Sequence, residues 1–441
     1  FLGKDVTIES SGTAENTIID LEGRHEDESI ANWGRRGLLF EPHGSYLGVT
    51  LSTLIDDITI TNSALHPNVQ IHASSDDGDG GGVYIRESSP QFTNCIIRDN
   101  YIYDDNHNGY PLGAGIYIYN SQSTFTNCQI LNNETRGYVN HGSHDTFPYG
   151  GGFYIAHTST DVSITNCLIK NNIAHGYDYN SDDASRTYPH GAGIFHQDGT
   201  LNIEYTEISN NRIEWTNGDV EKYGAGIYIA NGSATTNINK CTIAYNIDAH
   251  GLYRNAGNVN IYNSTVWGNT WDNGGDIFYS YCNVQGGASG EGIIQANPLL
   301  DAHENQQNKL HLQLDSPCYN TGNPDPEYND DDGSRADIGA NGTPDIITGN
   351  AVWGYLTIEG GESPSTKDIN LLLDGETIFT DEINLNSYYL IPDLELNTQY
   401  EVSTDIDINQ MINQSFTTSA TIENQIQRAD FHVLRKPSAT L

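Results

Sequence analysis

The pattern of apolar and polar residues between positions 80 and 269 alternates with a period of two over short runs, which predicts β-strands rather than helices. The runs recur in two forms. The first is a glycine-rich triplet followed by an apolar and aromatic run, at 80–85, 113–118, 150–155, 191–196 and 224–229. The second is Thr-Asn-Cys, an apolar run and a closing asparagine, at 93–100, 126–133 and 165–172 and in altered form later. Because glycine and asparagine accept positive φ, they predict turns between the strands.

A unit that repeats in this way predicts a stack of coils, since one unit cannot bury a face alone. The small residues at the cysteine position are then expected in one inward column: Cys95, Cys128, Cys167, Thr206, Cys241 and Ser264. The closing asparagines are expected to form a ladder: Asn100, Asn133, Asn172, Asn211, Asn246 and Asn269. We predict an all-β chain that begins with a right-handed parallel β-helix, the hand following from the crossover rule. A β-propeller fits less well, because the repeat length is uneven.

The charge and composition limit the kinds of partner that this chain is expected to bind. The 441 residues include 19 Lys and Arg and carry a net charge of −39, so there is no basic footprint for nucleic acid. No apolar run approaches the roughly 20 residues of a membrane span. The chain begins at Phe1 in a strand-like segment without a signal peptide, so we expect a mature extracellular or cell-surface product. Self-association, other surface proteins and glycans are the expected partners.

The chain contains six cysteines, and four of them share one repeat position. That recurrence favours buried free thiols in a column over disulfides. Cys282 and Cys318 lie outside the predicted column and could form a pair. Cysteine usage alone therefore leaves the redox compartment open.

Five insertions separate a closing asparagine from the next glycine triplet, at 101–112, 134–149, 173–190, 212–223 and 247–255. All leave the same corner, so they are expected to gather on one side as a loop wall. Loops on a rigid scaffold often carry function, and rigid aromatic side chains suit glycans or a protein partner. The loops could equally pack on one another and shield the sheet. The candidate binding residues are Tyr110, Tyr138, His141, His144, Tyr149, His175, Tyr177, Tyr179, Arg186, Tyr188, His190, Trp215 and Tyr223.

The sequence gives weaker signs of metal ligands and catalytic groups than of binding residues. Asp77 and Asp79 in an acidic turn could hold calcium, although a solvated surface turn is the common alternative. His141 and His144 beside Asp145 would need a third ligand to hold zinc. No other cofactor is indicated, and no catalytic set is recognisable.

The residue pattern from Asn297 to Ala340 differs from that of the repeats. It contains Asn-Pro-Leu-Leu, then Ser-Pro-Cys at 316–318, then Asp-Gly-Ser-Arg-Ala-Asp-Ile-Gly-Ala at 332–340. This string resembles the closing element of secreted bacterial and archaeal right-handed β-helix proteins, departing from it at 320–322. The earlier repeats resemble the same family, which includes polymorphic-membrane-protein-like and choice-of-anchor surface proteins. The resemblance covers about residues 1–342 and implies this fold and export. The family contains adhesins, structural surface proteins, lyases and hydrolases, so it does not imply one chemistry.

Residues 343–346 are predicted to be a linker, and residues 347–441 a small antiparallel β-sandwich. The predicted strands are 352–358, 369–373, 388–391, 400–403, 415–418 and 431–434. This tail is similar to carboxypeptidase-regulatory-like or Cna-B-like modules, which serve as spacers in surface proteins.

Two functions remain open from the sequence. The first is a surface or matrix protein with a structural or adhesive role, including a self-assembling filament or sheath subunit. The second is a polysaccharide lyase or glycoside hydrolase that uses the loop wall as its cleft. The lack of a recognisable catalytic set favours the first.

Overall fold

The computed structural model describes residues 4–22, 36–42, 48–65, 79–104, 109–139, 145–178, 186–216, 222–271, 273–302, 309–313, 315–330, 333–340, 350–358, 368–382, 388–395, 398–404, 414–417, 426–428 and 431–433. The chain forms two compact units. The first contains residues 1–298 and 317–341, and the second contains residues 299–316 and 342–441. Residues 299–316, which the sequence placed with the solenoid, thus group with the second unit. No helix long and apolar enough to cross a membrane occurs within these described ranges.

The first unit is a solenoid of four parallel sheets. Sheet A holds β1 (Thr7–Glu9), β4 (Leu54–Asp56), β8 (Gln91–Thr93), β12 (Thr124–Thr126), β16 (Asp161–Thr165), β20 (Gly199–Glu204), β24 (Ala234–Asn239), β27 (Asn258–Tyr262), β29 (Phe278–Ser280) and β31 (Gly290–Glu291). Sheet B holds β2 (Ile18–Asp20), β5 (Thr59–Thr61), β9 (Ile96–Arg98), β13 (Gln129–Leu131), β17 (Leu168–Lys170), β21 (Glu207–Ser209), β25 (Thr242–Ala244), β28 (Thr265–Trp267) and β30 (Asn283–Val284).

The other two sheets are shorter. Sheet C holds β6 (Ala64–Leu65), β10 (Tyr101–Asp104), β14 (Glu134–Val139), β18 (Ile173–Asp178) and β22 (Arg212–Thr216). Sheet D holds β3 (Leu38–Phe40), β7 (Val83–Arg86), β11 (Ile116–Tyr119), β15 (Phe153–Ala156), β19 (Ile194–His196), β23 (Ile227–Ile229) and β26 (Leu252–Arg254). The predicted parallel solenoid is confirmed.

Apolar side chains at alternate positions of each strand fill the solenoid interior. On sheet B, Ile97, Ile130, Ile169, Ile208 and Ile243 pair in register and are fully buried. Burial of one such side chain contributes about 1.5–3 kcal/mol. Because each coil repeats the same inward positions, the apolar contacts run continuously along the axis.

The cysteine position lies at the corner between sheets A and B, as predicted. Cys95, Cys128 and Cys167 are buried, and the amide of Cys128 donates to Cys167 Sγ at 3.3 Å. Each thiol points at the carbonyl two residues earlier, at 3.2–3.3 Å. Cys282 makes the same contact with Ser280 at 3.3 Å, so it joins the column that the sequence excluded it from. Cys282 and Cys318 are free thiols, which corrects their suggested pairing.

The asparagine ladder is also confirmed. Asn133 Nδ2 donates to Asn172 Oδ1 at 3.0 Å, and Asn172 Nδ2 donates to Asn211 Oδ1 at the same distance. Each Oδ1 also accepts the backbone amide of the asparagine one coil earlier, as Asn172 does from Asn133 at 3.0 Å. These buried amides are therefore saturated by their neighbours in the adjacent coils.

The glycine triplets lie just before the strands of sheet D, where the backbones of neighbouring coils come into close contact. Gly113 adopts φ of 63°, which favours glycine. A Cβ on Gly115 would lie 2.6 Å from the carbonyl oxygen of Gly152 in the next coil. The triplet therefore combines a left-handed turn with a contact that leaves no room for a side chain.

The segment 317–340 closes the first unit by lying across the last coils. Thr265 Oγ1 donates to the carbonyl of Ile338 at 2.8 Å, and Thr242 Oγ1 accepts the amide of Ala340 at 2.9 Å. Lys240 is buried and its Nζ lies 2.7 Å from Asp330 Oδ1. Burial disfavours the Lys240 ammonium, yet this ion pair keeps the pKa of Lys240 above its ordinary value.

The second unit begins with the antiparallel hairpin β32 (Leu300–Ala302) and β33 (Leu310–Leu312). Two further sheets follow, built from β34 (Asn350–Ile358), β35 (Asp368–Leu373), β36 (Glu376–Glu382), β37 (Tyr388–Leu394), β38 (Gln399–Thr404), β39 (Gln414–Thr417), β40 (Ile426–Arg428) and β41 (Phe431–Val433). One sheet is antiparallel in the order β36-β35-β38-β39, whereas β34 pairs antiparallel with β37 and parallel with β40 and β41. Val352, Ile369, Tyr389 and Val402 belong to one core, so the two sheets pack on each other.

Candidate functional site

The insertions return to the solenoid side by side. Leu112 forms a parallel bridge to Tyr149, Tyr149 to His190, and His190 to Tyr223. The returning segments of the first four insertions therefore form a narrow strip beside sheet D. Residues 105–108, 140–144, 179–185 and 217–221 of these insertions lie outside the described residues, and they include the candidates His141, His144 and Tyr179.

Three candidate residues on this strip turn toward sheet D. The Tyr149 ring stacks on Phe195 at 4.1 Å between ring centroids, His190 on Tyr228 at 4.6 Å, and Tyr223 on Tyr253 at 4.2 Å. Burial lowers the pKa of His190 to about 4, so its imidazole is neutral at pH 7. These side chains shield the sheet, which was the alternative interpretation of the loops.

A second row on the strip faces outward. Tyr110 stacks on Phe147 at 4.7 Å, and Phe147 stacks on Tyr188 at 5.3 Å. Tyr110 is 52% exposed. Arg186 is also exposed, and its backbone amide donates to Asp145 Oδ1 at 2.9 Å. This row offers aromatic contact area at the rim of the strip.

The densest polar group lies on the outer face of sheet C, and we call it the carboxylate–histidine cluster: Glu134, Arg136, His175, Arg212 and Glu214. Arg136, His175 and Glu214 are paired across β14, β18 and β22 and therefore point outward together. His175 Nδ1 lies 3.3 Å from Glu134 Oε1 and 3.6 Å from Glu214 Oε2. Arg136 Nη2 lies 2.7 Å from Glu134 Oε1, and Arg212 pairs with Glu214. One imidazole nitrogen is therefore shared by two carboxylates.

The electrostatics of the cluster favour ionised side chains. Burial alone would raise the pKa of Glu134, but the hydrogen bond from His175 and the charge of Arg136 bring that pKa below its ordinary value. Burial would likewise lower the pKa of Arg136, and Glu134 reverses the direction. The two carboxylates face two guanidinium groups, so the cluster is close to neutral on a chain of net charge −39.

Tyrosines extend the same face on both sides of the cluster. Tyr138 and Tyr177 are neighbours in register with ring centroids 4.8 Å apart, and Tyr103 lies 6.2 Å from Tyr138. At the other side is a polar cavity of about 160 Å³ that reaches Tyr101 and Glu134. Its lining consists of Asn62, Ser63, Asp99, Asn100, Tyr101, Asn132 and Glu134. The cluster thus separates a row of phenol rings from a small polar cavity.

Sheet C ends at β22, where Trp215 is 39% exposed. Lys222 Nζ lies 2.7 Å from the centroid of the Trp215 ring and 5.7 Å from that of Trp271. Cation–π contacts of this kind hold exposed rings in place. Trp215 is in register with Gly176, at the position alternate to Glu214, and Lys222 contacts both indole rings at this end of the sheet.

The structure does not test the candidate calcium ligands as a pair. Asp77 lies outside the described residues. Asp79 is buried, and its backbone carbonyl accepts a hydrogen bond from Arg36 Nη2 at 2.6 Å. Where the structure describes the chain, no three acidic, histidine or cysteine side chains gather as a metal site. Calcium binding stays a prediction.

The sequence analysis selected His175, Tyr138 and Tyr177 as candidates. It did not select Glu134, Arg136, Arg212 and Glu214. The missed residues follow the closing asparagines directly, in Glu-Thr-Arg-Gly-Tyr and Arg-Ile-Glu-Trp-Thr, where polar residues alternate with period two. That alternation was a sign that the strands continue into the insertions.

Comparison with family models matches residues 26–187 to the family described as "Right handed beta helix region". Comparison with curated proteins gives no match, and neither does comparison with solved structures. Taken with the parallel in-register sheets, the match shows that the first unit has the right-handed parallel β-helix fold.

Proposed function

We propose that the chain is an extracellular glycan-binding protein with an adhesive or matrix role, and that the glycan lies on the outer face of sheet C. The observation that supports this most is the row Arg136, His175 and Glu214 beside the stacked Tyr138 and Tyr177. Binding sites for polar ligands typically combine aromatic surface with a few convergent hydrogen-bonding groups.

The arrangement suits a polymer that runs along the solenoid axis. Neighbouring coils are about 4.8 Å apart, so a chain of sugar rings would meet a polar or aromatic side chain of sheet C at each successive coil. Glu134 and Glu214 accept hydrogen bonds from sugar hydroxyls, while Arg136 and the phenols donate them. The net charge of −39 repels polyanions, and the balanced cluster lacks a surplus of cations to compensate. A neutral polysaccharide is therefore the favoured ligand.

One observation favours a second candidate, glycoside hydrolysis. Glu134 and Glu214 lie on opposite sides of His175 and both come within 3.6 Å of its Nδ1. Glycosidases use two carboxyl groups, one as general acid and one as base or nucleophile. In this candidate, Glu134 would be the ionised member, since its pKa is lowered.

The test is binding of the full chain to soluble polysaccharides, with neutral xylan, galactomannan and β-glucan set against anionic pectate and alginate. Affinity electrophoresis and calorimetry should show binding to at least one neutral polymer. Tyr177→Ala should weaken it by roughly thirtyfold, because a ring contact and a hydroxyl partner are each worth about 1 kcal/mol.

The matched control is Tyr205→Asn. Tyr205 is 38% exposed at the corner between sheets A and B, and Asn is the residue that this corner carries at Asn166. The control should bind as the parent chain does. Absence of binding to every polymer would refute the proposal, as would an equal loss in both variants. Release of new reducing ends that Glu214→Gln abolishes would instead establish the hydrolase.

A further inference from the structure

The last coil of the solenoid is shorter than the coils before it, and it leaves a cavity beside the end of the core. Along sheet A, Asn260 pairs with Phe278 one coil later, but Tyr279 already pairs with Gly290. The chain passes from β30 directly to β31 through residues 285–289, which are all described and form no strand of sheet C or sheet D. The cavity has a volume of about 620 Å³, and its described lining residues all belong to the first unit.

Part of the cavity lining is apolar and continuous with the solenoid core. Ile277 and Tyr279 come from the preceding coil, and Val284 and Ala288 come from the shortened coil. Tyr279 and Val284 are buried members of the main core cluster, and Ile277 and Ala288 pack against that cluster. Tyr279 holds the inward position that Ile261 holds one coil earlier, so an aromatic side chain takes part in closing the cavity on its core side.

The rest of the lining is polar, and two of its side-chain amides are held in place by the backbone. Gln285 Oε1 accepts the amide of Gly268 at 2.6 Å, and Asn273 Oδ1 accepts the amide of Leu252 at 3.3 Å. Since its oxygen is occupied, Gln285 is left with its NH2 group as a donor, and that group has no partner among the described residues. The polar lining residues are Asn273, Asp276, Gln285 and Ser289.

The turn that borders the cavity is also fixed before any ligand arrives. Gly286 and Gly287 have φ of 79° and 81°, a conformation that favours glycine, and the amide of Gly287 donates to the carbonyl of Val284 at 3.0 Å. Two successive residues without side chains keep the space beside them open. A pre-formed wall of this kind lowers the entropy that a ligand must give up on binding.

We propose that this cavity binds the terminal residue of a neutral oligosaccharide. Its volume lies within the range of small-ligand sites, roughly 300–1,000 Å³. A sugar ring has an apolar C–H face that packs on aromatic and aliphatic side chains, and hydroxyls at its edge that need donors and acceptors. Because the core closes the cavity on one side, an end of a sugar chain enters it more readily than an internal residue does.

Other ligand classes fit the lining less well. A hydrocarbon would desolvate the Gln285 NH2 group without giving it an acceptor. The one acid among the described lining residues, Asp276, lies 3.9 Å from Arg254 Nη1, so the cavity has little charge of its own to attract an ion. An anionic ligand would in addition be repelled by the net charge of −39.

The ligand class rests on the function proposed above, but the site is separate, since none of the described lining residues lies on sheet C. The two proposals can therefore fail independently. Tyr177→Ala, which should weaken polymer binding on sheet C, should leave binding in the cavity unchanged. Ser289→Trp in the cavity should leave polymer binding on sheet C unchanged.

The experiment is calorimetric titration of the full chain with xylobiose, cellobiose and mannobiose, with p-cresol as an apolar ring of similar size. The parent chain should bind at least one of the disaccharides. Ser289→Trp fills the cavity and should abolish that binding. Gln285→Glu keeps the acceptor for Gly268 but replaces the donor, and should weaken binding about fivefold, the value of one hydrogen bond. Ser159→Trp is the matched control, because Ser159 is likewise an exposed serine in a turn of another coil.

Circular dichroism establishes that each variant is folded before it is compared, and Gln285→Glu keeps the test decisive if Ser289→Trp does not fold. The control should bind the disaccharide as the parent chain does. Absence of binding to all three disaccharides overturns the proposal, and so does binding of p-cresol alone, since the site would then be apolar. Equal affinities in the parent chain and the two cavity variants, or an equal loss in Ser289→Trp and Ser159→Trp, overturn it as well.

Discussion

His196 makes the solenoid core sensitive to acid. It occupies the inward column of sheet D that Ile118, Ile155 and Ile229 occupy in other coils. The side chain is fully buried, with Nδ1 2.8 Å from Thr236 Oγ1 and Nε2 3.0 Å from the carbonyl oxygen of Asp198. Burial lowers the pKa of His196 from 6.5 to about 4, because a charged imidazole has no water around it there.

The sign and size of the effect follow from proton linkage. Between pH 6.5 and 4 the unfolded chain binds a proton at His196 that the folded chain does not, so stability is full above pH 6.5 and falls as the pH is lowered. From pH 7.5 to 4.5 this one group costs about 2.5 kcal/mol, since each pKa unit corresponds to about 1.4 kcal/mol. The buried His190, whose pKa is also lowered to about 4, adds a loss of the same sign.

The perturbation is the double variant His196→Ile/Thr236→Val, which restores an apolar pair at positions where sheets D and A carry Ile155 and Val162. Urea unfolding at pH 7.5 and 4.5 gives the loss of unfolding free energy for parent and variant. The variant should lose about 2.5 kcal/mol less than the parent, because all other titrating groups are shared. An equal loss in both proteins would refute the reasoning.

Three further predictions concern the repeats. Asn172→Ala removes an amide that both neighbours use, and should lower the unfolding free energy by about 2–4 kcal/mol in urea titrations. Gly115→Ala should lower the melting temperature, whereas Gly232→Ala, where a Cβ would meet nothing within 4 Å, should leave it unchanged. All six thiols are buried, so they should resist a thiol reagent at pH 8 in the native protein and react after unfolding. For Cys241 and Cys282, burial also raises the pKa to about 12.

The sequence predicted the features that every coil repeats. The cysteine column and the asparagine ladder were readable because the same buried position needs the same small or amide-bearing residue each time. Cys282 was missed because its coil has lost the glycine triplet and the closing asparagine. The string Tyr281-Cys282-Asn283-Val284 still parallels Asn263-Ser264-Thr265-Val266, and that likeness could have placed it.

The carboxylate–histidine cluster could not be assembled from the sequence. Its members come from β14, β18 and β22, which are separated along the chain by insertions of unequal length. Which residues meet depends on where each strand resumes its pairing after the insertion, and composition does not fix that point. The insertions were also treated as loops, although Glu134–Val139 continues as a strand with alternate residues facing outward.

In the second unit, the local turn chemistry was overlooked. Asp374 and Gly375 have φ of 54° and 84°, as a tight hairpin turn requires, and the strand β36 that follows was not predicted. The parallel pairing of β34 with β40 and β41 was not foreseen either, since it joins residues far apart in the chain.

The closing segment 317–340 has a mechanical consequence. Three successive coils form hydrogen bonds with it, through Thr242, Thr265 and Asn283. The last of these is from Asn283 Nδ2 to Cys318 Sγ, at 3.1 Å. A pull on the chain beyond residue 340 would be carried first by the hydrogen bonds of Ala340 and Ile338, before it reaches the last coil. The stack is thereby protected against tension at the end where its sheets are narrowest.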